Sequence, residues 1–291
     1  MRNILPILTV VAAIALIWYV GTYQMNKKWT LEQAERAQVE LSFNEVLTDT
    51  MEQERPVLPA PHQVTGELWK TTGEMALDGK AMSKRSLIYH GWITLSSTLV
   101  GFALGTIAGI LLAVGIVHNK AMDMSVMPWA IASQTIPILA IAPMIVVVMN
   151  SIGVQGLLPK AVIAAYLSFF PVVVGMVKGL RAPTTSELDL MKTYNASGQE
   201  TFWKLRLPSS MPYLFTSLKI GIAAALVGAI VAELSSSPLR GFGGRMLTGS
   251  YYGQTIQIWS ALFAAAIMAA CLVGFIGYLQ RVTLKKMGMS Q

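Results

Sequence analysis

Few side chains of this 291-residue sequence have the types and spacing that catalysis or metal binding requires. The three histidines, His62, His90 and His118, have no i, i+4 pairing and no cysteine or acid at ligand spacing, whereas metal sites need such clusters. Cys271 is the single cysteine, so it cannot form an internal disulfide and is expected to be a small apolar filler. We therefore predict no metal site and no catalytic residue in this chain.

Nucleotide hydrolysis is also excluded by the nearest approach to a phosphate-binding loop. Such a loop has four residues between its first glycine and the Gly-Lys pair, followed by Ser or Thr. Between Gly73 and Gly79-Lys80 there are five residues, and Ala81 replaces the hydroxyl that would hold magnesium. We expect ATP and Mg²⁺ to be bound by partner subunits, with no cofactor in this chain.

The elements that hold these residues are set by composition, which is 54% hydrophobic and 13% charged with a mean hydropathy of +0.54. Crossing about 30 Å of hydrocarbon takes about 20 apolar residues. Several runs reach that length, so we predict an all-α polytopic membrane protein with six transmembrane helices. The predicted spans are Asn3 to Tyr23, Ser86 to Val117, Ser125 to Asn150, Leu157 to Leu180, Tyr213 to Leu234 and Ile256 to Gln280.

The chain accordingly divides into an anchor helix (1–23), an outer segment (24–85), a membrane domain (86–281) and a basic tail (282–291). The outer segment contains a polar stretch from Trp29 to Glu54 that predicts one helix ended by Pro56. Its role is not indicated by the sequence.

Orientation follows from the basic residues, which concentrate at the cytoplasmic ends of spans. An even number of spans places both termini on one side, and the cytoplasmic assignment fits the basic residues best. The net charge of +7 is therefore explained by topology, and no basic stripe interleaved with aromatic residues predicts nucleic-acid binding. The basic residues that this orientation makes cytoplasmic are Arg2, Lys120, Lys178, Arg181, Lys192, Lys204, Arg206, Lys219, Arg281, Lys285 and Lys286.

The longest of the predicted cytoplasmic segments, Arg181 to Pro212, joins spans four and five. Apolar residues recur at helical spacing on both sides of the stretch Asn195 to Gly198, which predicts two short amphipathic helices with a bend between them. One interpretation is an interfacial loop that only connects two spans. The other is a docking element for a soluble partner. The apolar residues are Leu188, Met191 and Tyr194 before the bend, and Phe202, Trp203 and Leu205 after it.

This segment resembles the EAA loop of binding-protein-dependent ABC importer permeases, in which Glu-Ala-Ala, Gly, Ile and Leu-Pro stand at fixed spacing. The spacing is kept, with Asn195 at the glycine position and Leu205 at the isoleucine position. Asn is the commonest non-glycine residue that adopts the left-handed conformation ending a helix. Leu190 and Met191 in place of the alanines are the departure from the pattern. The coupling residues that the resemblance implies are Asp189, Leu190, Met191, Tyr194, Asn195, Gly198, Phe202, Trp203, Leu205, Leu207 and Pro208.

From about Leu58 to Arg281 the chain also resembles the nitrate, sulfonate and taurine subfamily of these permeases. The motifs are LPAP, GWITLSSTLVGF, QTIPILAIAP, SFFPVVVG, and VAEL followed by GFGGR. The resemblance implies a type I ABC importer fold and alternating access. The implied partners are two cytoplasmic ATP-binding subunits, a periplasmic solute-binding protein and a second permease subunit, either another copy in a homodimer or a close relative. The implied location is the bacterial inner membrane, in contact with lipid.

Small residues in the spans predict where helices pack together, and prolines predict where the translocation path lies. Gly101, Gly105 and Gly109 recur every four residues, which allows close approach of another helix. Prolines in spans three and four break hydrogen bonding where protein or a water-lined cavity can satisfy the freed carbonyls. We place the translocation path beside Gln134, Thr135 and Pro137, with Ser168 opposite; ordinary kinks are the alternative.

Glu233 is the only carboxylate near the predicted hydrocarbon region. An acid in a span is a functional candidate, so it joins the path residues. Near the span end it could instead be solvated or capped by Arg240 or Arg245.

Three classes of protein compete for this pattern. An ABC importer permease predicts a long docking loop and few charged residues in the spans, as seen. An ion-coupled secondary transporter predicts ionisable residues at mid-membrane and inverted repeats. A membrane enzyme needs a catalytic cluster facing a cavity. We predict a permease that passes a small polar or anionic solute, such as nitrate, a sulfonate, taurine or a pyrimidine-like compound.

Overall fold

The computed structural model describes residues 4–236 and 238–289, and across these ranges the chain is helical without a strand. Each long apolar run of the sequence forms one helix or a helix pair, which confirms the predicted all-α membrane fold. The helices are α1 (Ile4–Ala37), α2 (Phe43–Glu52), α3 (Pro61–Trp69), α4 (Met75–Leu77), α5 (Leu87–His118), α6 (Lys120–Ser133), α7 (Ile138–Ser151), α8 (Leu157–Leu180), α9 (Thr185–Thr193), α10 (Gly198–Thr201), α11 (Leu207–Leu234), α12 (Gly241–Tyr251) and α13 (Thr255–Lys286).

Five helical stretches of the described ranges are long and apolar enough to cross a membrane, and a bent pair brings the number to six. The pair is α6 and α7, which meet at an angle of 99° where a third span interrupted by prolines was predicted. Pro137 lies at the start of α7. Because proline has no N–H and its ring clashes with a preceding turn, the helix stops before it.

Contacts divide the chain into two units, of which the first comprises Met1–His90 and Gly244–Ala265. Its α1 is about 50 Å long at 1.5 Å per residue, so it extends beyond the predicted anchor at residue 23. The polar stretch predicted as one helix is two: α1 continues to Ala37, Gln38 turns the chain with φ of 54°, and α2 follows.

The buried side chain of Asn26 fastens the outer segment to α1 in this first unit. Its amide nitrogen donates to the carbonyls of Thr50 and Leu58, both at 3.0 Å, and its oxygen accepts from the N–H groups of Val57 and Leu58. The two N–H groups and the oxygen of this side-chain amide are thus all hydrogen-bonded. Together with the hydrogen bond from Thr30 to Asp49, Asn26 therefore holds α2 and the chain after it against α1.

The second unit comprises Gly91–Gly243 and Ala266–Gln291, and its helices approach each other at small residues. A Cβ added to Gly101 or Gly105 would collide with Ala164 or Ser168 of α8, and one added to Gly109 would lie 2.9 Å from the Phe169 carbonyl. The predicted glycine stripe is therefore the surface of α5 that packs on α8. Since lipid gives no hydrophobic drive, close backbone contact is what holds such helices together.

Candidate functional site

The segment between α8 and α11 begins with α9, which starts at a complete capping box. The Thr184 hydroxyl accepts from the Glu187 N–H at 3.3 Å, while the Glu187 carboxylate accepts from the Thr184 N–H at 2.7 Å. These hydrogen bonds satisfy donors that the first turn leaves unpaired. The Thr184 N–H and, second, the Thr184 hydroxyl, which donates to the same carboxylate at 2.9 Å, lower the pKa of Glu187.

Asn195 ends α9 in the left-handed conformation that its position in the loop predicts, with φ of 50°. Its N–H donates to the Lys192 carbonyl at 2.8 Å, and the Ala196 N–H donates to the Met191 carbonyl at 3.0 Å. This pair of bonds is a Schellman motif, which closes the last turn of a helix. The bend at this position is therefore fixed by hydrogen bonds.

A second capping box, of Ser197 and Glu200, starts the next helix. Here the prediction of a short helix followed by a separate span is wrong. The helix runs on from α10 through a π-helical stretch, Phe202–Arg206, directly into α11, so one element covers Gly198–Leu234. The π-helical stretch lies just before Pro208, which cannot donate to the preceding turn.

Both ends of this loop are held by contacts with neighbouring helices of the second unit. Arg181 at the end of α8 forms an ion pair with Asp123 of α6 at 2.8 Å, and the Arg206 guanidinium donates to the Leu180 carbonyl at 3.1 Å. Phe202 packs edge-to-face on His118, with ring centroids 5.3 Å apart. Phe202 and Leu207 both pack against the buried apolar cluster of α5 and α8.

Three large apolar side chains of the loop point away from that cluster. Leu190 is 55% exposed, Tyr194 76% and Trp203 65%. Leu190 and Tyr194 stand four residues apart and share one helical face. Of the other residues predicted for coupling, Asp189 pairs with Lys192 at 2.9 Å on the surface, and the rest are exposed or half-buried: Met191, Asn195, Gly198, Leu205 and Pro208. Their role in coupling stays a prediction.

Three of the five predicted path residues, Gln134, Thr135 and Pro137, lie at the break between α6 and α7. Gln134 caps α6 and its buried amide nitrogen has no hydrogen-bond partner in the described part of the chain; Thr135 is exposed beside it. The Tyr166 hydroxyl of α8 donates to the Ser133 carbonyl and so fixes the break. Ser168, predicted opposite, is fully buried against Gly105. Whether these residues line a path stays a prediction.

Glu233 is fully buried, so the solvated alternative is wrong. Its carboxylate accepts from the Thr94 hydroxyl at 2.9 Å and from the Gly243 N–H at 2.9 Å, and not from an arginine among the described residues. Gly241, with φ of 91°, leaves no room for a side chain beside this carboxylate. The glycines of the GFGGR motif therefore allow the backbone to approach a buried acid.

Arg245, the other arginine considered for Glu233, belongs to the first unit. It lies 4.0 Å from the Glu67 carboxylate of α3, and both side chains are largely buried. Burial raises the pKa of Glu67 against the opposing effect of Arg245, and burial lowers the pKa of Arg245. This pair spans 178 positions of sequence without a shared motif, so spacing alone could not predict it.

A cavity of about 290 Å³ lies between α5, α7, the start of α8 and the chain after α11. We name it the Lys160 cavity. Sequence reasoning missed it, because its walls come from four separate stretches of the chain. The polar residues that line it are Ser96, Ser97, Asn150, Lys160, Ser236 and Arg240.

Long apolar helices and a broken helix pair define a polytopic helical membrane protein. The family model of the binding-protein-dependent transport system inner membrane component matches residues 105–288. The chain belongs to that family.

Relatives extend the match toward the N-terminus. A probable ABC transporter permease protein from Haemophilus influenzae is 29% identical over 77% of this chain and 84% of its own length. A formylaminopyrimidine transport permease protein from Halalkalibacterium halodurans is 29% identical over 68% of this chain and 75% of its own. A nitrate import permease protein from Synechocystis is 26% identical over 76% of each. The resemblance inferred from the motifs is confirmed.

Proposed function

We propose that this chain is the membrane-spanning permease subunit of an ATP-driven importer. It passes a small polar or anionic solute from a periplasmic binding protein to the cytoplasm by alternating access. The family match and the relatives' names support the transporter role. The solutes to consider are nitrate, a sulfonate, taurine or a pyrimidine-like compound. The subunit itself hydrolyses no ATP; two cytoplasmic ATP-binding subunits do.

The observation that carries the proposal is the continuous helix from Gly198 to Leu234. Trp203 is exposed near its start, and the rest of the helix is packed along α8. Because no flexible joint separates the two parts, a displacement at Trp203 moves the membrane-spanning part of α11 with it. A docked ATPase could therefore do work on the span through this side chain.

The proposed complex holds a second copy of this chain, with the path between the copies, and lies in the bacterial inner membrane with both termini in the cytoplasm. The basic residues near α9, α10 and the end of α13 support that orientation. Among them, Lys192, Lys204 and Lys285 lie on the exposed surface.

Trp203→Asp tests the docking role in the complex reconstituted with its ATPase and binding protein. We expect solute-stimulated ATPase activity to fall by about tenfold or more, the effect of losing an aromatic anchor, while the chain stays inserted and folded. Thr185→Asp adds the same charge at an exposed position of α9 away from the Leu190 face and should leave the activity unchanged. Equal activity of Trp203→Asp and Thr185→Asp would contradict the proposal. Uptake driven by an ion gradient without the ATPase would instead support a secondary transporter.

A further inference from the structure

The Lys160 cavity contains two basic side chains and no acidic one among the residues described around it. Lys160, in the first turn of α8, is only 6% exposed, whereas Arg240, which also lines the cavity, is exposed. Trp92 of α5 forms part of the apolar wall. The cavity is thus a small, partly open space lined by two positive charges.

The Lys160 ammonium forms no hydrogen bond and no ion pair among the described residues. Glu233 is the acid that attracts it electrostatically, while Arg240 repels it. The Glu233 carboxylate, however, is already bound by the Thr94 hydroxyl and the Gly243 N–H. Glu233 does not line the cavity, whereas the two cations Lys160 and Arg240 do. The cavity therefore keeps a net positive charge.

A nearly buried ammonium is stable when an anion pairs with it, because losing water is costly for an unpaired charge. The guanidinium of Arg240 can bind a carboxylate or oxyanion through two N–H groups. Ser96, Ser97 and Asn150 add hydroxyl and amide groups that hydrogen-bond oxygen atoms. The volume of about 290 Å³ suits a small ligand group.

We propose that the Lys160 cavity binds a small anionic group, an oxyanion or a carboxylate, through Lys160 and Arg240. That the group belongs to the transported solute rests on the proposed function, and it narrows that solute to an anion. The phosphate of a lipid headgroup has the same chemistry, so the experiment includes an arm that separates the two sources.

Trp92 gives a readout that needs no ATPase and no known solute. The full chain in maltoside is quenched with iodide and with neutral acrylamide, and the Trp92 contribution is the difference from the same protein carrying Trp92→Phe. We expect the double variant Lys160→Met, Arg240→Gln to lower the iodide-to-acrylamide ratio of quenching constants about threefold, the scale of charge focusing in a cleft.

Each single variant should lower the ratio in part, which keeps the test valid if the double variant misfolds. Lys84→Gln removes an exposed charge that does not line the cavity and should leave the ratio unchanged. A ratio that is the same in the parent protein and in folded Lys160→Met and Arg240→Gln variants would overturn the proposal.

Competition then identifies the source of the anion. Methanesulfonate that protects Trp92 from iodide supports a solute site, and phosphatidylglycerol that protects at a few molecules per protein supports a lipid headgroup. Protection by neither would overturn the proposal. ATP-driven uptake in the reconstituted complex is measured separately: normal uptake with no effect on quenching refutes only this inference, and absent uptake with the expected quenching refutes only the proposed function.

Discussion

The Thr94 hydroxyl donates to the Glu233 carboxylate at 2.9 Å and also accepts the Phe242 N–H at 2.9 Å. A residue of α5 thereby ties a buried acid at the end of α11 to the start of α12. The VAEL and GFGGR motifs, which looked like separate features of the sequence, meet at this one hydroxyl.

Thr94→Val should lower the melting temperature of the purified chain by the equivalent of about 1–3 kcal/mol, because the buried Glu233 carboxylate and the buried Phe242 N–H each lose a hydrogen bond. Thr106→Val is the matched control on the same helix. The Thr106 hydroxyl is buried with no hydrogen-bond partner among the described residues, so its removal should be neutral or stabilising. Equal destabilisation by both variants, measured by thermal unfolding in detergent, would contradict this stabilising role of the Thr94 hydroxyl.

The glycine stripe of α5 gives a second pair of variants. Gly105→Ala should destabilise the chain by about 1–3 kcal/mol, as overpacking does, because the new methyl group lies 2.8 Å from the Ala165 carbonyl. Gly274→Ala meets no atom within 4 Å and should stabilise α13 by up to about 1 kcal/mol through helix propensity. A melting temperature for Gly105→Ala at or above that of the parent would show that α5 does not pack closely on α8.

The two capping boxes predict how the loop responds to pH. The Lys204 ammonium, with the Ser197 N–H and hydroxyl, lowers the pKa of Glu200 from 4.5 to about 2, and Thr184 lowers that of Glu187. Because both values are lower in the folded loop, the stabilisation is complete above pH 4.5 and is lost as the pH falls from there toward 2.

Hydrogen exchange of peptides from residues 184–206 measures this. We expect equal protection, after correction for intrinsic rates, at about pH 7 and about pH 5. Glu200→Ala should raise hydrogen exchange in α10 already at neutral pH. Weaker protection at the lower of these two pH values than at the higher one would mean that the capping boxes do not stabilise the loop.

Asn195 tests the bend itself. Asn195→Gly keeps a residue that adopts positive φ without strain, so solute-stimulated ATPase activity should stay near that of the parent complex. Asn195→Pro cannot adopt the φ of 50° and should abolish the stimulation while leaving the protein inserted. Equal activity of the two variants would show that the bend is not needed for coupling.

Long apolar runs made the spans predictable, because their length and composition are local properties of the chain. The left-handed conformation of Asn195 was equally predictable, since it depends on a helix ending within a few residues. The prolines of span three indicated a break, but the sequence did not predict its angle at Pro137. Proline signals a possible kink, but the 99° bend also depends on Tyr166 of another helix.

The environment of Glu233 and the Lys160 cavity were beyond sequence reasoning for a different reason. Thr94 and Glu233 are 139 residues apart, and a single sequence carries no signal that pairs them. No motif of the sequence singles out Lys160, whose burial is what gives it chemical interest. Local pattern therefore predicts elements, and the polar contacts between distant elements require the structure.

Coupling to an ATPase requires the segment between α8 and α11 to lie in the cytoplasm, where that partner can reach it. A Tyr194→Cys variant in a Cys271→Ala background places one thiol at an exposed position of this loop, and Phe43→Cys in the same background places one on the outer segment. In intact spheroplasts, we predict that a membrane-impermeant maleimide labels the Phe43→Cys protein and spares the Tyr194→Cys protein until the membrane is permeabilised. Labelling of the Tyr194→Cys protein before permeabilisation would contradict the account.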